Sequence, residues 1–205
     1  MNNSLKKKML SLFPVEVMKF DLNNVYEHWD AVAEDLQGAS ETEGGITEGN
    51  VKTSFIEDWH EHSRVLPLWE ELDSLMLAAV SNYCYINSIE NVEITDSWYT
   101  IMNKGSRVHR HRHEGSVISG TLYIDIPDDS LGLAFVNPTI PYRMNEFVNN
   151  SNPSNTYAHV ETVKKGDLLL FPSWLEHFVP PIDYDNRISI SFNTAYPIFK
   201  EIHNG

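Results

Sequence analysis

The chain has 205 residues, 41% of them hydrophobic and 21% charged, which is the composition of one folded domain and not of a disordered chain. Its formal net charge is −14, so its surface repels nucleic-acid phosphates and anionic lipids, whereas a small anionic ligand responds to local charge and is not excluded. The single cysteine, Cys84, excludes an intramolecular disulfide framework and is compatible with a reducing cytoplasm.

Helical periodicity is confined to the first half of the chain. Residues 22–36 repeat apolar side chains at helical spacing, with Asp21 or Asn23 as a plausible cap. Residues 37–50 are rich in Gly, Ser, Thr and Glu and predict a loop. Residues 66–83 carry one continuous apolar stripe and predict a second helix.

From about residue 90 the pattern changes to short β-rich runs separated by turn signals such as Asn103-Lys104-Gly105. The predicted strands are 92–102, 117–126, 131–136, 159–163, 167–171 and 187–192. Two helices followed by many short strands, without βαβ alternation, predict an antiparallel barrel or jelly roll buttressed by N-terminal helices. We therefore expect one domain over residues 1–205, with helical support to about residue 88 and a jelly-roll core over about 90–200.

The stretch Val108-His-Arg-His-Arg-His113 places three histidines at a period of two. In an extended backbone, successive side chains point to opposite faces, so the rings of His109, His111 and His113 would share one side. Such a spacing can build a metal site, and it also occurs in ordinary polar loops.

The last predicted strand alternates apolar and polar side chains. Ile188, Ile190 and Phe192 form one face, and the other face carries Arg187, Ser189, Ser191 and Asn193. An edge strand with one wet face gives this pattern. A strand whose polar face lines a cavity also gives it, and an arginine there would hold a ligand carboxylate through two parallel hydrogen bonds.

Four motifs in a fixed order resemble the 2-oxoglutarate- and Fe(II)-dependent oxygenases. They are His111-x-His113, the run SVISGTLYID at 116–125, FPSWLEH at 171–177 and RISISFN at 187–193. The likeness is greatest to the branch that is common in marine bacteria and their phages and is related to the prolyl hydroxylases.

This resemblance implies a mainly β fold with flanking helices, built on a double-stranded β-helix (jelly-roll) core. It also implies a dioxygenase that uses Fe(II), 2-oxoglutarate and dioxygen, and that hydroxylates a small-molecule or peptide substrate which the sequence does not identify. The expected location is the cytoplasm, or the host cytoplasm for a phage protein.

Carried over by position, the resemblance implies that His111 and His177 are iron ligands. The wider superfamily has a carboxylate where His113 stands, so this chain departs from the two-histidine, one-carboxylate set and would hold its metal with three imidazoles. Glu114 is the alternative carboxylate, although in a regular strand its side chain points away from the other two ligands. His109 is a second alternate, better interpreted as a solvated residue or as one that supports a ligand.

The resemblance also implies a binding site for the co-substrate. Arg187 is similar to the arginine that binds the distal carboxylate of 2-oxoglutarate, with Ser189 beside it. Tyr123 is similar to a tyrosine that hydrogen-bonds the same carboxylate from a facing strand. The Asn- and Pro-rich segment 137–157 predicts a long loop and a candidate lid.

Other interpretations stay open at this point. A cupin-like metal enzyme would share the His-x-His pattern without needing Arg187, and a non-catalytic jelly-roll binding protein could keep the histidines as a structural metal site. The pair His60 and His62, just before the second helix, offers a competing spacing that lacks downstream partners. Trp98 and Trp174 are expected to be core residues because large aromatic side chains usually are.

Overall fold

Two antiparallel β-sheets face each other in the computed structural model, which describes residues 8, 10, 12–38, 46–55, 64–143, 150, 152 and 155–197. Short 3₁₀ helices lie at Leu66–Leu68 and Ile140–Tyr142. The remaining elements, in chain order, are β1 (Met18–Asp21), α1 (Trp29–Gln37), β2 (Thr47–Glu48), β3 (Val51–Thr53), α2 (Glu70–Asn87), β4 (Glu93–Met102), β5 (Arg107–His111), β6 (Ile118–Asp125), β7 (Ser130–Val136), β8 (Ala158–Val163), β9 (Asp167–Pro172), β10 (His177–Val179) and β11 (Arg187–Ala195).

The strand orders are those of a jelly roll. The larger sheet runs β1-β9-β6-β11-β4-β3 and the smaller one runs β2-β5-β10-β7-β8. Strands that follow each other in sequence often lie in different sheets, so the chain crosses repeatedly between the two layers. The mainly β fold with flanking helices, predicted from the sequence, is confirmed.

The two helices cover the outer face of the larger sheet. The apolar stripe of α2 and the buried side of α1 pack on residues of β4, β6, β9 and β11 and form the larger of two cores. The smaller core lies between the sheets and includes Tyr123, Leu133, Phe135 and Phe171. No helix of the described residues is long and apolar enough to cross a membrane.

Strand β11 has one face in the core under the helices and the other face in the space between the sheets. Its apolar residues Ile188, Ile190 and Phe192 are fully buried against the helices, as the two-residue period requires. Gly120 of β6 lies opposite Phe192, and a Cβ at that glycine would come within 2.3 Å of the phenyl ring. The glycine therefore makes room for an aromatic side chain under the helices, while the polar face of β11 points between the sheets.

The first helix begins later than its periodicity predicts. Residues 22–26 form a turn, in which the backbone N–H groups of Val25 and Tyr26 both donate to the Leu22 carbonyl. The backbone N–H of Asn23 donates to the carboxylate of Asp21, and this local Asx turn competes with helix formation. The expected capping role of Asp21 or Asn23 is therefore wrong, because α1 starts only at Trp29.

The six strands predicted from the sequence are all present with ends shifted by at most a few residues. Strands β1, β2, β3, β5 and β10 are not among the predicted ones, and β2 lies inside the segment expected to be a loop. Strands β1, β2, β3 and β10 have two to four residues each, which is too short for a period of two to be recognised, and β5 has five.

Candidate active site

A cavity of about 340 Å³ lies between the two sheets. Its wall on the larger sheet is built from alternate residues of neighbouring strands: Trp98, Thr100 and Met102 of β4, Thr121 of β6, and Arg187, Ser189, Ser191 and Asn193 of β11. Its wall on the smaller sheet includes Val108, His111, Leu133, His177 and Val179, with Ile46, Thr47, Thr53, Phe55, Arg112, His113, Glu114 and Ser116 completing the lining. The whole polar face of β11 thus faces the cavity.

Three imidazoles meet in this cavity. One ligand atom from each of His111, His113 and His177 lies within 4.8 Å of the others, and the Nε2 atoms of His113 and His177 are 3.3 Å apart. Neighbouring ligands around an octahedral ion with metal–nitrogen bonds of about 2.1 Å are roughly 3.0 Å apart, so this separation suits a shared divalent ion. His177 lies opposite His111 in the β5–β10 pair, which explains how residues 66 positions apart meet.

Backbone carbonyls orient two of the three rings. His111 donates from Nδ1 to the carbonyl of His109 at 2.7 Å, and His177 donates from Nδ1 to the carbonyl of Leu175 at 2.8 Å. With Nδ1 protonated, the lone pair of each ring is on Nε2, the atom that faces the cluster.

The environment keeps all three imidazoles neutral. Burial, followed by the neighbouring rings of His177 and His111, lowers the pKa of His113 to about 3. Burial, followed by the charge of His111, lowers the pKa of His177 to about 3, and burial also lowers the pKa of His111. A neutral imidazole is the form that binds a metal ion, so the cluster is ready to bind one at neutral pH.

A β-bulge removes His109 from the cluster. His111 lies opposite His177 and Val108 opposite Val179, so three residue steps on β5 match two on β10. Val108 and His111 consequently both face the cavity, whereas the side chain of His109 is 53% exposed and lies 3.3 Å from the Glu48 carboxylate. The expectation that all three imidazoles share one face is wrong for His109, because it assumed a regular strand.

Glu114 also lies outside the imidazole cluster. Its side chain is 78% exposed, and one carboxylate oxygen accepts hydrogen bonds from Nε and Nη2 of Arg112 at 3.2 and 2.8 Å. The carboxylate of the wider superfamily therefore has no counterpart in the cluster, whose third member is His113.

Arg187 is a buried cation without a carboxylate partner in the described part of the chain. The residue is 1% exposed, and within the described residues neither Nε nor Nη2 has a hydrogen-bond partner. Its Nη1 lies near two neutral atoms, Ser189 Oγ at 3.3 Å and Met102 Sδ at 3.5 Å. A buried guanidinium left in this way fits a bound anion, since unpaired buried charge is costly.

Comparison with known proteins agrees with this geometry. Residues 96–193, about half of the chain, match the family described as "Putative 2OG-Fe(II) oxygenase". The chain belongs to the 2OG-Fe(II) oxygenase superfamily. It is accordingly an oxidoreductase of the class that uses Fe(II), 2-oxoglutarate and dioxygen.

Solved structures show the same fold in other oxygenases. HygX from Streptomyces hygroscopicus, solved with nickel and 2-oxoglutarate, is 10% identical and superimposes with a TM-score of 0.58 over 89% of this chain and 84% of HygX. The viral collagen prolyl hydroxylase of Paramecium Bursaria Chlorella virus-1, in complex with 2-oxoglutarate, is 12% identical with a TM-score of 0.53, covering 87% and 96% of the two chains. A prolyl-4-hydroxylase from Pseudomonas putida is 16% identical with a TM-score of 0.50, covering 89% and 93%. Among curated proteins, none matches the sequence.

The ring of Tyr123 makes a cation–π contact with the guanidinium of Arg187 in the oxygenase. The guanidinium carbon lies 5.1 Å from the centre of the Tyr123 ring, and the Tyr123 hydroxyl accepts a hydrogen bond from the Leu133 backbone N–H at 3.2 Å. Burial raises the pKa of Tyr123 to about 12, so the hydroxyl keeps its proton. A Cβ at Gly132 would come within 2.8 Å of that hydroxyl oxygen, so glycine is what allows the tyrosine to lie there.

The two tryptophans of the oxygenase are not core residues, contrary to the expectation from their size. Trp174 is 54% exposed in the turn between β9 and β10. Trp98 lines the cavity and stacks on His113, with ring centres 5.9 Å apart and planes 29° apart. The alternation of Trp98, Thr100 and Met102 along β4 was the signal that could have placed this tryptophan on the cavity wall.

Two predictions stay untested. The pair His60 and His62 lies outside the described residues. The described parts of the segment 137–157 contain the 3₁₀ helix Ile140–Tyr142 and a hydrogen bond from Arg110 to the Tyr157 hydroxyl, and none of them lines the cavity. The role of this segment as a lid is still a prediction.

Proposed function

We propose that this oxygenase is a hydroxylase that holds Fe(II) with His111, His113 and His177 and binds 2-oxoglutarate through Arg187. The observation that carries the proposal is the presence, in one cavity, of three neutral imidazoles and a buried guanidinium whose Nε and Nη2 have no partner among the described residues. When bound, Fe(II) and 2-oxoglutarate supply the activation of dioxygen that oxidises a C–H bond.

The protein's own residues bind and orient the co-substrate. Arg187 donates from Nε and Nη2, two N–H groups on one edge of the guanidinium, to the two oxygens of the distal carboxylate. Ser189 and the protonated hydroxyl of Tyr123 complete the polar environment at this end of the cavity. A cupin-like enzyme or a structural metal site would not need this buried guanidinium, which favours the oxygenase chemistry over both.

The cavity limits what the substrate can present to the metal. A volume of about 340 Å³ is near the lower end of ligand pockets, and the co-substrate must share it. We infer that a small molecule, or a single side chain of a peptide, enters past the exposed residues Arg112 and Glu114.

The test is an anaerobic titration of the protein with Fe(II) and 2-oxoglutarate, following the weak visible charge-transfer band of the chelate. We expect the band in the wild type and its loss in Arg187→Met. His177→Ala should lose retained metal in equilibrium dialysis while keeping its far-ultraviolet circular dichroism. If the band is absent from the wild type, or unchanged in Arg187→Met, the proposal is wrong; if His177→Ala unfolds, the metal site is structural.

A further inference from the structure

Among the three clustered imidazoles, His113 is the one whose ring nitrogens contact no backbone carbonyl of the described residues. His111 and His177 each donate from Nδ1 to a backbone carbonyl two residues earlier in the chain. Within the described residues, the only polar contact of a His113 ring nitrogen is the one between its Nε2 and that of His177. No carbonyl of the described residues therefore fixes the orientation of the His113 ring, as one does for His111 and His177.

Two rings stack on His113: the imidazole of His177, itself a proposed ligand, at 5.1 Å and 4°, and the indole of Trp98, which belongs to no ligand. The indole of Trp98 lies 5.9 Å from the imidazole, centre to centre, at an interplanar angle of 29°, which is a stacked arrangement. The backbone of His113 is anchored independently, because its N–H donates to the Ser173 carbonyl at 3.0 Å. The stacking contact thus acts on the side chain torsions of His113 and not on its backbone.

Trp98 is itself held firmly enough to serve as a support. It lies in the middle of β4, where its backbone pairs with Ser191 of β11. The ring of Phe55 packs edge-on against the indole, with centres 5.1 Å apart and planes at 62°. Neither contact involves an imidazole, so the indole has two supports outside the metal cluster.

We infer that Trp98 is a positioning residue for His113, replacing through ring stacking the backbone carbonyls that orient His111 and His177. The inference rests on the proposed metal site. It predicts that His113 turns away from the ion when the indole is removed, so the site keeps two firm ligands and loses the third.

The test measures binding of Ni(II), which imidazoles bind more tightly than Fe(II), by isothermal titration calorimetry without co-substrate. Trp98→Leu should raise the Kd roughly tenfold or more, the range seen when a ligand loses its supporting group. Trp98→Phe should restore most of the affinity, since a phenyl ring can still stack. Phe55→Leu is the matched control: it removes an aromatic ring that stacks on none of the three clustered imidazoles, and it takes away one support of the indole while leaving the indole beside His113, so its effect should be smaller than that of Trp98→Leu.

A double-mutant cycle separates positioning from general damage to the fold. In a His113→Ala background, Trp98→Leu should cause no further loss of Ni(II) affinity, because the residue it positions is gone. A full loss on top of His113→Ala, or a Trp98→Phe variant as weak as Trp98→Leu, would overturn the inference. Absence of Ni(II) binding to the wild type would instead contradict the proposed metal site itself.

Discussion

Replacing Arg187 by methionine should make the ligand-free protein more stable while abolishing its response to co-substrate. The guanidinium is 1% exposed, and its contacts in the described residues are a serine hydroxyl, a thioether and an aromatic ring. Methionine has a similar length, carries no charge, and adapts to an irregular apolar site next to Met102. The substitution therefore removes the cost of a buried charge without leaving a large cavity.

The change in the free energy of unfolding is the difference between the desolvation cost of the guanidinium and the contacts that it makes. Desolvation of an ion costs several kcal/mol in a protein interior. The cation–π contact with Tyr123 recovers up to about 2 kcal/mol and the hydrogen bond to Ser189 about 1–2 kcal/mol. We expect Arg187→Met to raise the free energy of unfolding by about 1–2 kcal/mol, which for a domain of this size raises the Tm by roughly 2–8 °C.

With 2-oxoglutarate bound, the wild type should become more stable than Arg187→Met. A ligand at one hundred times its Kd stabilises the native state by about 2.7 kcal/mol, or roughly 5–11 °C in a domain of this size. With Ni(II) present throughout, 2-oxoglutarate should therefore raise the Tm of the wild type by that amount and leave Arg187→Met unchanged. Arg187→Lys, which keeps the charge but not the two-pronged geometry, should respond weakly.

Thermal scans and urea unfolding of the three proteins, with and without 2-oxoglutarate, measure both effects. An Arg187→Met protein that is several kcal/mol less stable than the ligand-free wild type would show that the guanidinium already has a structural partner. A Tm rise with 2-oxoglutarate equal to that of the wild type would show that the carboxylate binds elsewhere.

Two further substitutions test the surroundings of the site. Gly132→Ala places a methyl group 2.8 Å from the Tyr123 hydroxyl, so we expect a loss of about 1–3 kcal/mol in urea unfolding and a higher Kd for 2-oxoglutarate. Gly38→Ala is the control, because Gly38 is exposed, has φ −81°, and a Cβ there makes only ordinary contacts at 3.7 Å, so its effect shows how much of the Gly132→Ala loss comes from glycine itself and not from crowding. Glu114→Gln should leave the Ni(II) affinity unchanged, because that carboxylate is exposed and pairs with Arg112; a large increase in Kd would make Glu114 a metal ligand after all.

The longer strands and the polar face of β11 could be predicted from the sequence because both depend on the two-residue period. The period survives wherever a strand of six or more residues has one face in a core, as in β11, where the apolar side packs under the helices. The segment β2–β3 gave no such signal. Its two strands have two and three residues and owe their conformation to pairing with β5 and β4.

The metal cluster was only partly accessible to the same reasoning. The resemblance and the period of two both drew attention to the histidine-rich stretch, yet the period treated His109 and His111 as equivalent. Only the pairing of β5 with β10 reveals the bulge that turns His109 towards Glu48 and keeps His111 in the cavity. A bulge is a property of two strands together, so the sequence of one strand does not reveal it.

The acidity of the chain and its pocket for a dicarboxylate are compatible because they act over different distances. Exposed charges are screened beyond about 8 Å at physiological ionic strength, so the net charge of −14 reaches the cavity only weakly. Arg187 is buried, and at a given separation its attraction for a bound carboxylate is several times stronger than that of a cation in water. The surface charge thus controls which macromolecules approach the protein, whereas one buried guanidinium and a metal ion decide which small anion stays.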